Sequence, residues 1–75
     1  MDSPVLAYAF ESEAPRALPD LALVRLLQAV TTDEGERVPA GTIGTVVAAY
    51  AGGAAYEVEF EAGLATVAAA ALESI

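Results

Sequence analysis

The sequence predicts an acidic, all-β domain, and three local patterns carry the prediction. Tyr56-Glu57-Val58-Glu59-Phe60 alternates apolar and charged residues. That period of two puts one face of an extended strand in a core and the other in water. Thr42 to Tyr50 is rich in β-branched residues, whose side chains fit a pleated surface. Gly52-Gly53 lies between these two patterns, and since both positions tolerate φ > 0, the pair predicts a two-residue hairpin loop.

The remaining elements follow in chain order. Residues 1–19 read as an arm holding Pro4, Pro15, Glu11 and Glu13, and residues 20–75 as the compact unit. In the arm, Leu6, Tyr8 and Phe10 alternate with Val5, Ala7 and Ala9, so the large groups share one face of an extended segment. An untethered terminus is one reading; the favoured one is an added strand that covers a sheet edge, in its own chain or a neighbour. Leu21 to Val30 reads as the first strand of the compact unit. Gln28 to Gly41, with Asp33, Glu34, Gly35, Glu36 and Pro39, reads as a long loop. Gly44 inside the β-branched run marks a bulge or a close approach by another backbone. Gly63 marks a turn. The last segment fits two patterns. Leu64, Val67, Ala68, Ala71 and Leu72 match a helical stripe; alternatively Leu64 to Ala68 is a strand, followed by a helical turn over Ala69 to Leu72 and a short strand to Ile75.

Composition excludes several kinds of chemistry. The 75 residues suffice for one domain, and a chain of this size buries only about 60% of its unfolded surface. Cysteine, histidine and lysine are all absent. Disulfides, thiolate or imidazole metal sites, a histidine general base and a nucleophilic lysine are therefore not available. Arg16, Arg25 and Arg37 face eleven acids, for a formal net charge of −8. Phosphate contacts need cations whose binding releases counterions, and a negative field repels nucleic acid and anionic membrane. The expected partner is therefore a basic or neutral protein, or a second copy of the chain. Met1-Asp2 lacks the positive start of a signal peptide, and no apolar run approaches the roughly 18 residues of a spanning helix. The cytoplasm is the expected compartment.

The segment Pro39-Ala40-Gly41-Thr42-Ile43-Gly44-Thr45-Val46-Val47, followed by Tyr50, the glycine pair and Tyr56-Glu57-Val58-Glu59-Phe60, resembles a bacterial family of small SH3-like proteins of unknown function. The resemblance spans roughly Asp20 to Ile75 and omits the arm. Similar strand pairs occur in KOW-type barrels, in the SH3-like accessory subunit of photosystem I and in the nitrile hydratase beta chain. The resemblance implies a small SH3-like barrel of five strands, with a short helical turn before the last. It implies no particular activity, because such barrels serve many roles. KOW domains contact RNA, but the basic residues of such a contact are missing here.

Several residue groups invite a chemical reading. Glu57 and Glu59 lie two apart on one strand face, about 7 Å between Cα atoms, a spacing that glycosidases use. With Glu61 in line, however, they read first as a solvated face that discourages edge pairing. Asp33, Glu34 and Glu36 lack the spacing of a calcium loop and read as loop solvation or as the charged rim of a contact surface. Tyr50 and Tyr56 flank the hairpin and could line a proline-peptide groove, but without a tryptophan a core or edge role for both rings is the favoured reading. The expected function is a non-catalytic protein-interaction module, homo-oligomeric or modulating a larger protein as an antitoxin does, with no cofactor and no metal. Its candidate surface is Leu6, Tyr8, Phe10, Asp33, Glu34, Glu36, Tyr50 and Tyr56. The alternative is a small-molecule-binding barrel or minor enzyme using Glu57, Glu59 and Tyr56.

Overall fold

A computed structural model of the chain describes residues 18, 19 and 21–75. The strand expected around Leu6, Tyr8 and Phe10 lies outside the described residues. In order, the elements are β1 (Leu23–Leu26), β2 (Val30–Thr31), β3 (Arg37–Val38), β4 (Ile43–Tyr50), β5 (Ala55–Phe60), β6 (Gly63–Ala68), a 3₁₀ turn (Ala69–Ala71) and β7 (Leu72–Ser74). Five strands form one sheet in the order β6-β5-β4-β1-β7, and β2 pairs with β3 as a separate ribbon. Every pairing is antiparallel.

The alternation seen in the sequence places the core. Val24 and Leu26 of β1, Val46 of β4, Tyr56, Val58 and Phe60 of β5, and Ala65 and Val67 of β6 are buried together. Val38 from the ribbon and Ala71 from the 3₁₀ turn close the same cluster. Side chains from both ends of one sheet meet in one cluster, so the sheet has to coil over its own inner face. Each fully buried Val or Leu contributes roughly 1.5–3 kcal/mol. Tyr56 keeps its polar end satisfied: its hydroxyl accepts a hydrogen bond from the Leu18 N–H at 2.9 Å, as a buried phenol requires.

Gly44 makes the coiling possible. It is buried in β4, opposite Val24. A Cβ there would lie 2.7 Å from the Phe60 ring and 2.7 Å from Val58 Cγ1. The close approach is thus made by side chains of the neighbouring strand and not by another backbone. The bulge sits further along β4, where the register against β5 shifts between Val46 and Ala48, and a bulge increases local twist.

Several expectations need correction. The five strands form an open sheet and not a closed barrel: among the described residues no ladder joins the edge strands β6 and β7. The free edge of β6 is instead met at its start by the ribbon turn, where the Asp33 N–H donates to the Leu64 carbonyl at 2.7 Å. Residues 28–41 are not simply a loop but hold the β2–β3 ribbon, whose two-residue strands are too short to show a period. The first strand ends at Leu26, because the Leu27 N–H turns to the carbonyl of Ala71. The glycine hairpin has a four-residue loop, since Tyr50 pairs with Ala55, and Ala51 joins Gly52 and Gly53 at positive φ. Gly63 opens β6 rather than marking the turn itself. The C-terminal segment takes the strand, turn and strand form. Leu64 and Ala68, which a helical stripe would bury, are exposed, while Ala65 and Val67 are buried.

Replacing Gly44 by alanine should destabilise the fold by about 1–3 kcal/mol, the usual range for overpacking a filled core. Urea denaturation with an unchanged m-value would show the loss; a stability equal to the parent's would refute the packing argument.

Candidate interaction surface

The register fixes what the outer face of the sheet displays. Leu23 stands opposite Thr45, Thr45 opposite Glu59, and Glu59 opposite Leu64. Alongside this row, Arg25 stands between Ile43 and Glu73. Ile75 extends the first row, its N–H bonded to the Leu23 carbonyl at 3.2 Å. Four large apolar side chains on this side are half exposed or nearly so: Leu23 at 52%, Ile43 at 50%, Ile75 at 58% and Leu64 at 42%. Exposed single apolar residues are ordinary; here Leu23, Ile43 and Ile75 are neighbours on one face. Arg25 and Glu73 form an exposed ion pair at 3.2 Å beside them, worth at most about 1 kcal/mol.

The acidic turn that holds Asp33, Glu34 and Glu36 lies at the β6 side of the sheet. Thr32 closes the turn that carries them: its N–H donates to the Glu36 carbonyl, its hydroxyl accepts from the Glu36 N–H, and its carbonyl accepts from the Gly35 N–H. This turn is anchored on β6 through Asp33, which brings the Asp33 carboxyl against Glu57 of β5. Glu57 is half-buried and accepts a hydrogen bond from the Thr66 hydroxyl at 2.7 Å. The hydrogen bond to Glu57 pushes the Asp33 carboxyl above its ordinary value of 3.8, with partial loss of solvent and repulsion from Glu57 and Glu34 adding to the effect.

Of the residues expected at the surface, Asp33, Glu34, Glu36 and Tyr50 are exposed. Tyr56 is a correction: at 2% exposure it belongs to the core, because it shares the inward parity of Val58 and Phe60. Tyr50 and Tyr56 therefore line no common groove. Leu6, Tyr8 and Phe10 fall outside the described residues. Sequence reading missed Leu23, Ile43 and Leu64, because an apolar residue in a strand reads as core. The available signal was parity: Ile43 alternates with Gly44 and Val46, and Leu23 with Val24 and Leu26. Asp33 and Glu57 meet only through the fold, and no local pattern announces it.

Two open clefts flank the β5–β6 turn. One, of about 290 Å³, is lined by Val38, Pro39 and Phe60 together with Arg37 and Glu61. The other, of about 390 Å³, lies along Ile43, Thr45, Glu59 and Glu61. Glu57 lines neither cleft. Among the described residues no three acidic side chains are grouped to hold a metal ion, and no helix is long and apolar enough to cross a membrane.

Residues 21–73 match the model of a family described as a domain of unknown function, DUF4926. The chain belongs to this family. No curated protein and no solved structure matches it. The DUF4926 segment takes in β1 to β6, the 3₁₀ turn and the start of β7. Gly44, the Arg25–Glu73 pair and the Asp33–Glu57 contact all lie within it.

The Asp33–Glu57 contact makes stability depend on pH. A carboxyl whose folded pKa is raised contributes stability that is fully present below its unfolded pKa and lost as pH rises through the folded value. Asp33 thus helps in acid and not at neutral pH. Asp33→Asn, which supplies a permanent donor to Glu57, should raise the melting temperature at pH 7. The gain should fade below about pH 4, where the aspartic acid is itself protonated. A gain that persists unchanged in acid would contradict this origin.

Proposed function

We propose that this DUF4926 chain is a non-catalytic protein-interaction module with SH3-like connectivity. The strand order β7-β1-β4-β5-β6, with a 3₁₀ turn before the last strand, supports that connectivity. The interaction reading rests chiefly on one observation: the outer face of the sheet leaves Leu23, Ile43 and Ile75 exposed as neighbours, with Leu64 on the same face beyond Thr45 and Glu59. These residues offer apolar contact area, and the acidic side chains around them select a partner of neutral or basic charge. Self-association, or modulation of a larger protein in the manner of an antitoxin, are the two forms this module would take. The composition supports this reading and the cytoplasm as its setting, since histidine, cysteine and lysine are absent and the net charge is −8.

The alternative of a small-molecule site or minor enzyme built on Glu57 and Glu59 has less support. Glu57 is engaged by Thr66 and Asp33, and Glu59 borders only an open groove. A general acid with a raised pKa normally sits in a water-poor cleft.

The double variant Leu23→Ser, Ile43→Ser tests the reading. Both positions are exposed, so the melting temperature should fall by no more than a few degrees. Sedimentation and affinity capture from host lysate should show self-association or partner binding weakened at least about tenfold, the scale expected of central apolar contacts. Association equal to the parent's, in a folded double variant, would remove the outer face from the account.

A further inference from the structure

The two edges of the sheet are defended very differently. Edge strands of monomeric proteins are normally blunted by charge, proline, shortness or a covering element. β7 has three residues and carries Glu73 in its ion pair with Arg25. β6 has six residues, Gly63-Leu64-Ala65-Thr66-Val67-Ala68, with no charge and no proline among them. Among the described residues, β6 is met at its first turn, through the Asp33 N–H on the Leu64 carbonyl.

The direction of the remaining backbone groups follows from alternation. In an antiparallel pair, successive residues point their N–H and C=O alternately toward the partner strand and away from it. Leu64 points away, since its carbonyl is taken by Asp33. Thr66 and Ala68 share that parity, while Ala65 and Val67 hold the ladder to β5. Among the described residues, the N–H groups of Leu64, Thr66 and Ala68 and the carbonyl of Thr66 carry no backbone partner outside that ladder. The edge is therefore a template for an added strand.

The charges beside the edge specify what fits it. On the outer face, Thr66 stands next to Glu57, and Asp33 is drawn against the same carboxylate at the Leu64 end. Among the described residues, the only ion pair is that of Arg25 with Glu73 at the opposite edge. A strand added to β6 with cations on its outward positions would neutralise the Asp33–Glu57 pair. A second copy would bring eight further net negative charges instead.

We propose that the β6 edge of this module binds an extended, basic segment of a partner protein, pairing through Thr66 and Ala68 and placing a lysine or arginine beside Asp33 and Glu57. The proposal rests on the interaction-module reading and assigns it a surface and a partner chemistry.

The test is a titration of the isotope-labelled full chain, followed by its backbone amide resonances, with three blocked peptides of equal length. One alternates valine and lysine, one alternates valine and glutamate, and one is the lysine peptide with its amides N-methylated on one edge. The lysine peptide should shift the Thr66 and Ala68 amides saturably and weaken at least about tenfold toward 1 M salt, where the screening length is about 3 Å. The glutamate and N-methylated peptides should fail. Thr66→Pro removes the edge N–H together with the hydroxyl that bonds Glu57, and a proline is tolerated where the N–H faces solvent, so it should abolish binding in a folded protein; Thr66→Val, which removes the hydroxyl alone, should retain it. Absence of a saturable shift at β6, or shifts confined to the β7 edge, would overturn the proposal. Edge shifts that appear on concentrating the protein alone would also overturn it, by assigning the edge to a second copy. Partner capture that survives Thr66→Pro would remove the edge yet leave the interaction-module reading standing.

Discussion

The packing of Phe60 and Val58 over Gly44 is the constraint on which the rest depends. A single sheet with one apolar face needs something to cover that face. Here the cover is the sheet itself, and it can close only where a strand lets its neighbour's side chains cross it. Gly44 is that place, at a distance of 2.7 Å that no Cβ could share. Once β5 folds over β4, Tyr56 reaches Leu18, Val67 joins Val24 and Leu26, and the ribbon and 3₁₀ turn add Val38 and Ala71, with Val30 and Ala69 packed alongside.

This economy has a consequence for the surface. Among the described residues, one sheet spent on its own core leaves its outer face without a second layer. The residues there are a mixture: Leu23, Ile43, Leu64 and Ile75 offer apolar area, whereas Glu57, Glu59 and Glu73 keep the face wet. The sheet is also open, so among the described residues edge backbone persists at β6. Function is drawn from what the fold leaves unsatisfied, because satisfied groups in the core have nothing further to bind.

How much of this was legible beforehand varied by element. The β5 alternation was unambiguous, since Tyr56, Val58 and Phe60 differ so sharply from their glutamate neighbours. The β4 run and the hairpin were also readable, although Ala51 extended the loop because a left-handed alanine leaves no sequence mark. The C-terminal alanines fitted helix and strand equally well. Tertiary pairing of Ala55 to Phe60 with Gly63 to Ala68 decided between them. The ribbon was invisible, for a two-residue strand has no period to detect. The site was less legible than the fold: acidic residues of the turn and of β5 meet only when Asp33 bonds to Leu64. Closure into a barrel was expected from the resemblance, and the edge left open at β6 is where the fold departs from it.

Among the described residues, one coiled sheet buries its inner face and leaves the β6 edge without a paired strand. Residue-resolved amide hydrogen exchange on the dilute full chain tests this arrangement most directly. Ala65 and Val67, which face β5, should exchange slowly, near the limit set by global unfolding. Thr66 and Ala68, on the same strand, should exchange fast. Equal and strong protection along all of β6 at every dilution would contradict the account, because the edge would then be paired within the chain itself.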